Sequence, residues 1–340
     1  MFTLELIWYS VICLSVVAYV ILDGFDLGVG MVHLFTSKDE ERRIMLNAIG
    51  PVWDGNEVWI IIVSGGLLAG FPGAYATICS AFYVPIMIFL AGIIFRAVSI
   101  EFRSKLESVR WRHFWDAMFS ISSYVISFIL GILLGNLVMG IPIDVNGVFH
   151  GTFWSFFTPY TILMGITGIA LFMMHGCIYL VMKTEGEFHD KVSVWSISAM
   201  VFFIITYVTL TLGTLTFMPH MQDLMREMPY LYVIGLVAML LIANIPRCLR
   251  KKKGGWAFVS SAGAIFFLLV LFGLGVFPNI VRSTIDPVMN NITLYNSASS
   301  KYTLRIILIV AAIGVPLVFA YGWWIYRIFR GKVKLDKWSY

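Results

Sequence analysis

Nine stretches of this chain are each long and apolar enough to cross a lipid bilayer as a helix, and nothing else in the sequence limits the fold as strongly. A spanning helix needs about 20 mostly apolar residues. Runs of that kind fall at about 6–34, 50–71, 75–102, 114–138, 156–182, 193–215, 229–248, 256–277 and 304–328. Hydrocarbon offers no water to the backbone, so each run must satisfy its own N–H and C=O groups, which a helix does. The alternative of a water-soluble particle fails on composition. Of 340 residues, 59% are hydrophobic and only 13% are charged, too few to coat a soluble surface of that size. The expected class is an all-α polytopic membrane protein, a single membrane domain over residues 1–340.

The basic residues set the orientation. After the first, third, fifth, seventh and ninth runs come Lys38, Arg42 and Arg43; Arg103, Lys105, Arg110 and Arg112; Lys183 and Lys191; Arg247, Arg250, Lys251, Lys252 and Lys253; and a tail with Arg327, Arg330, Lys332, Lys334 and Lys337. The opposite connections carry only Arg226, Arg282 and Lys301. Short loops rich in Lys and Arg stay in the cytoplasm. The N-terminus is therefore expected outside and the C-terminus in the cytoplasm, which requires an odd number of spans. This alternation also explains the net charge of +5 without invoking nucleic acid.

Other classes lose support quickly. Cys13, Cys79, Cys177 and Cys248 lie within or at the ends of apolar runs and form no Cys-x-x-Cys pair, so neither a disulfide framework nor a zinc site is indicated. The N-terminus lacks the basic region of a cleavable signal peptide, and the first run reads as a retained span. No Walker motif or dinucleotide fingerprint occurs. Residues 278–303, rich in Asn, Ser and Thr, read as an external loop.

Ionisable side chains inside membrane helices are costly, about 2.5–3.5 kcal/mol each on insertion scales, so their positions carry information. The first span holds Asp23 and Asp26, three residues apart and on one helix face. The second holds Asp54 and Glu57, with Trp53 and Asn56 beside them, and the third holds Arg96 and, near its end, Glu101. With the inferred orientation, all six are expected to converge on the cytoplasmic third of the first four spans. Two readings stand. In one, Arg96 pairs with carboxylates and pins the helices together. In the other, four acids against one deep arginine leave a surplus carboxyl, which can hold and release a proton on a path from the cytoplasm. Asp54, at a helix entrance, is the favoured relay.

The remaining candidates are weaker. His175 is the one histidine well inside a span; a packing role is the ordinary reading, and ligation of a haem iron the sharper one. His33 and His113 sit at cytoplasmic helix ends, where solvated or capping roles are expected. Ala18–Gly24 faintly echoes Ala170–Gly176, which would suit two parallel four-helix units.

Several stretches resemble a known family. Leu22-Asp23-Gly24-Phe25-Asp26-Leu27-Gly28-Val29-Gly30 resembles the first-helix signature of subunit II of cytochrome bd-type quinol oxidases. Ile49-Gly50-Pro51-Val52-Trp53-Asp54-Gly55-Asn56-Glu57-Val58-Trp59 is similar to its second-helix signature, and Phe95-Arg96 through Glu101-Phe102-Arg103-Ser104-Lys105 to its third. Tyr179-Leu180, Lys183-Thr184-Glu185-Gly186, Phe277-Pro278, Ser299-Ser300 with Thr303-Leu304, and Phe329-Arg330-Gly331-Lys332 follow in the family's order. The resemblance spans essentially the whole chain. The loop between spans 6 and 7 is short, so the likeness is to a compact form of the subunit.

The resemblance implies nine transmembrane helices as two four-helix bundles plus one peripheral helix. On this sequence that gives a first bundle over 1–138 with the buried charges, a second over 156–277, and the ninth helix at 304–328. It also implies a bacterial inner membrane and a heterodimer with a haem-bearing subunit I. That partner would ligate two haems b and one haem d, and this chain none. The complex would oxidise quinol and reduce oxygen to water, with this subunit stabilising its partner and contributing a cytoplasmic proton path. In the family the aspartate of the Trp-Asp-Gly-Asn stretch, Asp54 here, is implicated in that path; Asp23, Asp26, Arg96 and Glu101 fall on its other signature positions. A small third subunit and a structural quinone held against this subunit are further family features. A secondary transporter or proton-coupled channel is the alternative from another class. It would place its site near the bilayer midplane on broken helices.

Overall fold

The computed structural model describes residues 3–335; Lys337, counted above in the cationic tail, lies outside them. The chain is helical almost throughout: α1 (Leu4–Val32), α2 (Asp39–Ile49), α3 (Trp53–Gly70), α4 (Pro72–Ala81), α5 (Tyr83–Phe102), α6 (Val109–Met139), α7 (Pro159–Lys183), α8 (Gly186–Phe217), α9 (Asp223–Glu227), α10 (Tyr232–Arg250), α11 (Gly254–Val276) and α12 (Lys301–Ile328). A small antiparallel pair, β1 (Asn279–Val281) and β2 (Ile292–Thr293), lies between α11 and α12.

Among the described residues eight helices are long and apolar enough to cross a membrane: α1, α5, α6, α7, α8, α10, α11 and α12. The protein is therefore a multi-pass membrane protein. The expected second span is α3. It is 18 residues long and begins with Trp53-Asp54-Gly55-Asn56-Glu57, so its first turn and a half is polar and it falls short on composition. The expected third span is broken. α4 ends at Ala81 and α5 starts at Tyr83, because Pro85 has no N–H for the Ala81 carbonyl and the chain turns at Phe82 (φ −91°, ψ 26°). The connection after the first span also folds into a helix, α2. Asp39, Glu40 and Glu41 occupy its first turn, where acids suit the helix dipole, and Met45, Leu46 and Ile49 bury its other face.

Local chemistry marks the helix starts. Thr158 and Thr161 form a reciprocal capping box ahead of α7, whose first residue is Pro159. Ser300 Oγ accepts from Thr303 N at 3.2 Å at the head of α12. Within α6, the hydroxyls of Ser122, Ser123 and Ser127 donate to carbonyls four residues back, at 2.6–2.7 Å. A buried hydroxyl with no water nearby is thereby satisfied within its own helix.

α1 is the hub: it packs on α3, α6, α7, α11 and α12. Its crossing with α7 brings backbone against backbone. A Cβ built on Gly28 would stand 1.9 Å from the Phe172 carbonyl oxygen, and one on Gly176 would stand 2.4 Å from the Gly28 carbonyl carbon. Only glycine permits this approach, and close approach is how membrane helices gain van der Waals contact. Gly28→Ala is expected to destabilise the detergent-solubilised protein by about 1–3 kcal/mol, read as a lowered Tm. Gly65→Ala, where nothing lies within 4 Å, serves as the control; its effect should stay within about 0.5 kcal/mol.

The 278–303 connection is ordered. Ile141 N donates to Arg282 O at 2.9 Å, Ser299 N to Gly70 O at 2.8 Å, and Ser299 Oγ to Ala69 O at 2.7 Å, so it ties together the ends of α3 and α6. At the opposite, basic end, Lys183 Nζ donates to Phe329 O (2.6 Å) and Val333 N to Lys183 O (2.9 Å), fastening the end of α12 to the end of α7.

Candidate functional site: a buried charge cluster on four helices

Asp23 and Asp26 lie on the face of α1 that meets α3, and Arg96 comes in from α5. All three side chains are about 1% exposed. Arg96 Nη2 donates to Asp23 Oδ1 at 2.7 Å and also to Glu57 Oε1 on α3. Asp26 is held differently. Its Oδ2 accepts from the Asn56 amide at 2.7 Å, the same amide nitrogen donates to Leu22 O at 3.2 Å, and Asn56 Oδ1 accepts from the Tyr326 hydroxyl of α12 at 2.8 Å. Two aspartates three apart thus receive different partners, one a guanidinium and the other a neutral amide.

Three carboxyls gather around one guanidinium, which bonds two of them, Asp23 and Glu57. Among the described residues, Asp23 Oδ2, Asp26 Oδ1 and the Arg96 Nε and Nη1 groups are buried without a protein hydrogen-bond partner, and the Tyr19 hydroxyl, one turn before Asp23, is buried beside them. Buried polar groups that the protein itself does not satisfy call for an explanation, and a working site is one.

Four of the six expected charges come together. Asp54 does not join them: it is exposed, in the first turn of α3, and makes no hydrogen bond or ion pair among the described residues. It stands three residues before Glu57, the cluster member with the most remaining exposure, at 15% of its side chain. Glu101 is exposed at the end of α5. It lies five residues past Arg96, about 140° around the helix, so it cannot share that face.

A second polar hub was not anticipated. Asp116 of α6 is fully buried and is met by two guanidinium groups, Arg103 Nε (2.6 Å) and Arg42 Nη1 (2.8 Å), and by the imidazole of His33 through Nε2 (2.6 Å). Arg103 continues to Asp39 at 2.7 Å. His33, expected to be solvated or to cap its helix, is 0% exposed, because α2 folds over the end of α1 and closes it off. His113 is exposed, in keeping with its expected place. Asp116 falls within the fourth apolar run, only two residues past its start, and that placement was the available signal.

Glu41 of α2 extends the hub toward α8. It accepts from the Thr36 hydroxyl and from Lys191 Nζ at 2.5 Å. Burial pushes its carboxyl upward, but the bonds from Lys191 and Thr36, with Lys38 nearby, outweigh burial and leave it below the ordinary glutamate range. A depressed carboxyl adds stability above its unfolded pKa and loses it as pH falls through the folded one. Lys191 is 41% exposed, so water screens the pair. Glu41→Gln should cost less than about 1 kcal/mol at pH 7, and the cost should shrink as pH falls through the folded pKa, measured by thermal unfolding across an acid series.

His175 is fully buried. Its Nε2 meets the Ile21 carbonyl at 3.0 Å and its Nδ1 the Ser261 hydroxyl at 2.8 Å, with the ring stacked on Phe258 at 4.9 Å. Both ring nitrogens therefore have hydrogen-bond partners inside the protein. Among the described residues no group of three or more His, Cys, Asp or Glu side chains is gathered as a metal would need.

Comparison with known proteins agrees with this architecture. The chain is 31% identical to the cytochrome bd-I ubiquinol oxidase subunit 2 of Escherichia coli K12, over 97% of this chain and 95% of that one. It is 30% identical to the cytochrome bd ubiquinol oxidase subunit 2 of Bacillus subtilis, over 98% of each. A chain of the bd oxidase structure from Geobacillus thermodenitrificans superposes with a TM-score of 0.80 at 17% identity, covering 96% of this chain and 99% of that one, a likeness of fold. The family model for cytochrome bd terminal oxidase subunit II matches residues 4–329. A match over nearly the whole chain, together with full-length relatives at this level of identity, makes the protein a member of the cytochrome bd terminal oxidase subunit II family.

Proposed function

We propose that this chain is the accessory, non-haem-ligating subunit of a quinol:oxygen oxidoreductase in a bacterial cytoplasmic membrane, where it stabilises a haem-bearing subunit I and provides a proton route from the cytoplasm. The placement of Asp54, Glu57, Arg96, Asp23 and Asp26 carries this reading. An exposed carboxyl at the start of α3 stands one helical turn from a buried cluster in which carboxyls outnumber the single guanidinium. A surplus acid in such a place holds a proton that can move, and oxygen reduction consumes protons. Asp54 takes a proton at the surface, Glu57 relays it to the edge of the Arg96 pair, and Asp23 and Asp26 lie beyond.

In this reading α3 also spans the bilayer, giving nine spans in two four-helix bundles with α12 peripheral. The N-terminus is outside and the basic end of the bundle is in the cytoplasm. α12 has Leu304 as its one buried residue, and it exposes Ile309, Val310, Ile313 and Leu317. Such a face suits lipid or a partner subunit. The partners are subunit I, its quinol and, where present, a small third subunit; the two haems b and the haem d belong to subunit I. Family membership leaves the transporter reading without support.

The test is a visible spectrum. The chain expressed alone should purify without a Soret band, and co-expression with subunit I should give haem in the complex. An intrinsic Soret band in the lone chain, lost in His175→Ala, would overturn the assignment.

A further inference from the structure

A cavity of about 400 Å³ opens at the basic end of the second half of the molecule, away from the charge cluster, between the end of α7, the first turns of α8, the end of α10 and the start of α11. Its two halves differ in chemistry. Val181, Ile197 and Met200 give it an apolar wall at its inner end, beyond His189, Asp190, Ser193 and Ser196 on the same side. Its mouth carries Arg250, Lys252 and Lys332, opposed by a single acid, Asp190. Arg250 and Lys252 are exposed and have no ion-pair partner among the described residues.

Three details of the mouth bear on its chemistry. Lys332 is drawn across it by donating to Thr184 O at 2.7 Å and Val181 O at 3.4 Å. Lys252 ends α10 in the left-handed region (φ 53°), with Lys253 N closing onto Cys248 O at 3.0 Å. Glycine or asparagine takes that cap position without strain, whereas here a strained position holds a lysine that lines the cavity. His189, on the wall, keeps a buried Nδ1 without a hydrogen-bond partner. Beside the mouth, Trp256 is 64% exposed next to Lys253, as an aromatic anchor at a membrane interface would be.

We infer that this cavity is a binding site for an anionic membrane phospholipid, its phosphate held by Arg250, Lys252 and Lys332 and an acyl chain laid against Ile197 and Met200. Basic pockets between membrane helices at the cytoplasmic side recognise anionic headgroups in this way, and the apolar wall distinguishes a lipid from a free anion. The bound lipid bridges α8 and α10 at this groove.

Native mass spectrometry of the delipidated oxidase complex, titrated with dioleoyl phosphatidylglycerol, tests the site. Wild type should bind at least one phosphatidylglycerol about 10-fold or more tightly than the triple variant Arg250→Gln/Lys252→Gln/Lys332→Gln. Ile197→Trp, which fills the apolar wall and leaves every cation in place, should lose the same lipid, so the outcome does not hang on one variant folding. Haem content of each complex reports assembly. Unchanged lipid affinity in either assembled variant would overturn the proposal. So would displacement of the lipid by millimolar inorganic phosphate, which would mark a free-phosphate site.

Discussion

Arg96→Gln should cost the protein about 3–5 kcal/mol and sharply reduce the yield of intact complex. Arg96 is the sole guanidinium among Asp23, Asp26 and Glu57, and it is 1% exposed. Removing it leaves up to three carboxyls buried near one another with only the Asn56 amide in support. The amide of glutamine keeps some hydrogen bonding but supplies no charge. The chain could answer by taking up protons on those acids, so the loss should ease at low pH. Asp23→Asn in the Arg96→Gln background should recover part of the stability, because the charge that Arg96 balanced is then gone. Tm and intact-complex yield for the two single variants and the double variant give the coupling directly. Strict additivity would mean that the two side chains do not act as a pair.

Asp54→Asn should behave in the opposite way, with assembly intact and turnover reduced about 10-fold or more. Asp54 is exposed and bonds to nothing else described, so its amide isostere disturbs no packing. An amide cannot accept and release a proton at physiological pH, and that one property is removed. Asp54→Glu keeps the carboxyl and should retain most of the turnover. A purely structural role would show the reverse ordering, with the isosteric asparagine tolerated better than the longer glutamate.

How much of this could be read in advance differs from element to element. Eight of the spans were legible because the bilayer demands about 20 apolar residues in a row, a signal that local sequence carries. Asp23, Glu57 and Arg96 were legible for a related reason: a charge in such a run needs a partner, and the alternation of basic loops put these three at one depth. Depth, however, is not direction. Where Asp54 and Glu101 point depends on how each helix is rotated against its neighbours, and packing fixes that rotation: Asp54 faces outward and Glu101 lies on the far side from Arg96. The Asp116 hub was hidden for another reason. His33, Arg42, Arg103 and Asp116 come from four separate segments that the tertiary fold brings together, Arg42 arriving on α2 as it folds back over the end of α1. No spacing rule links them. The break at Phe82 could have been read from Pro85, three residues on, had the run not been so uniformly apolar.

Proton uptake from the cytoplasmic face, followed alongside oxygen consumption in proteoliposomes holding the complex with Asp54→Asn, bears most directly on the proposed route. Both rates should fall together while the haem spectrum and subunit content match wild type. Wild-type rates of uptake and turnover from a fully assembled Asp54→Asn complex would contradict it.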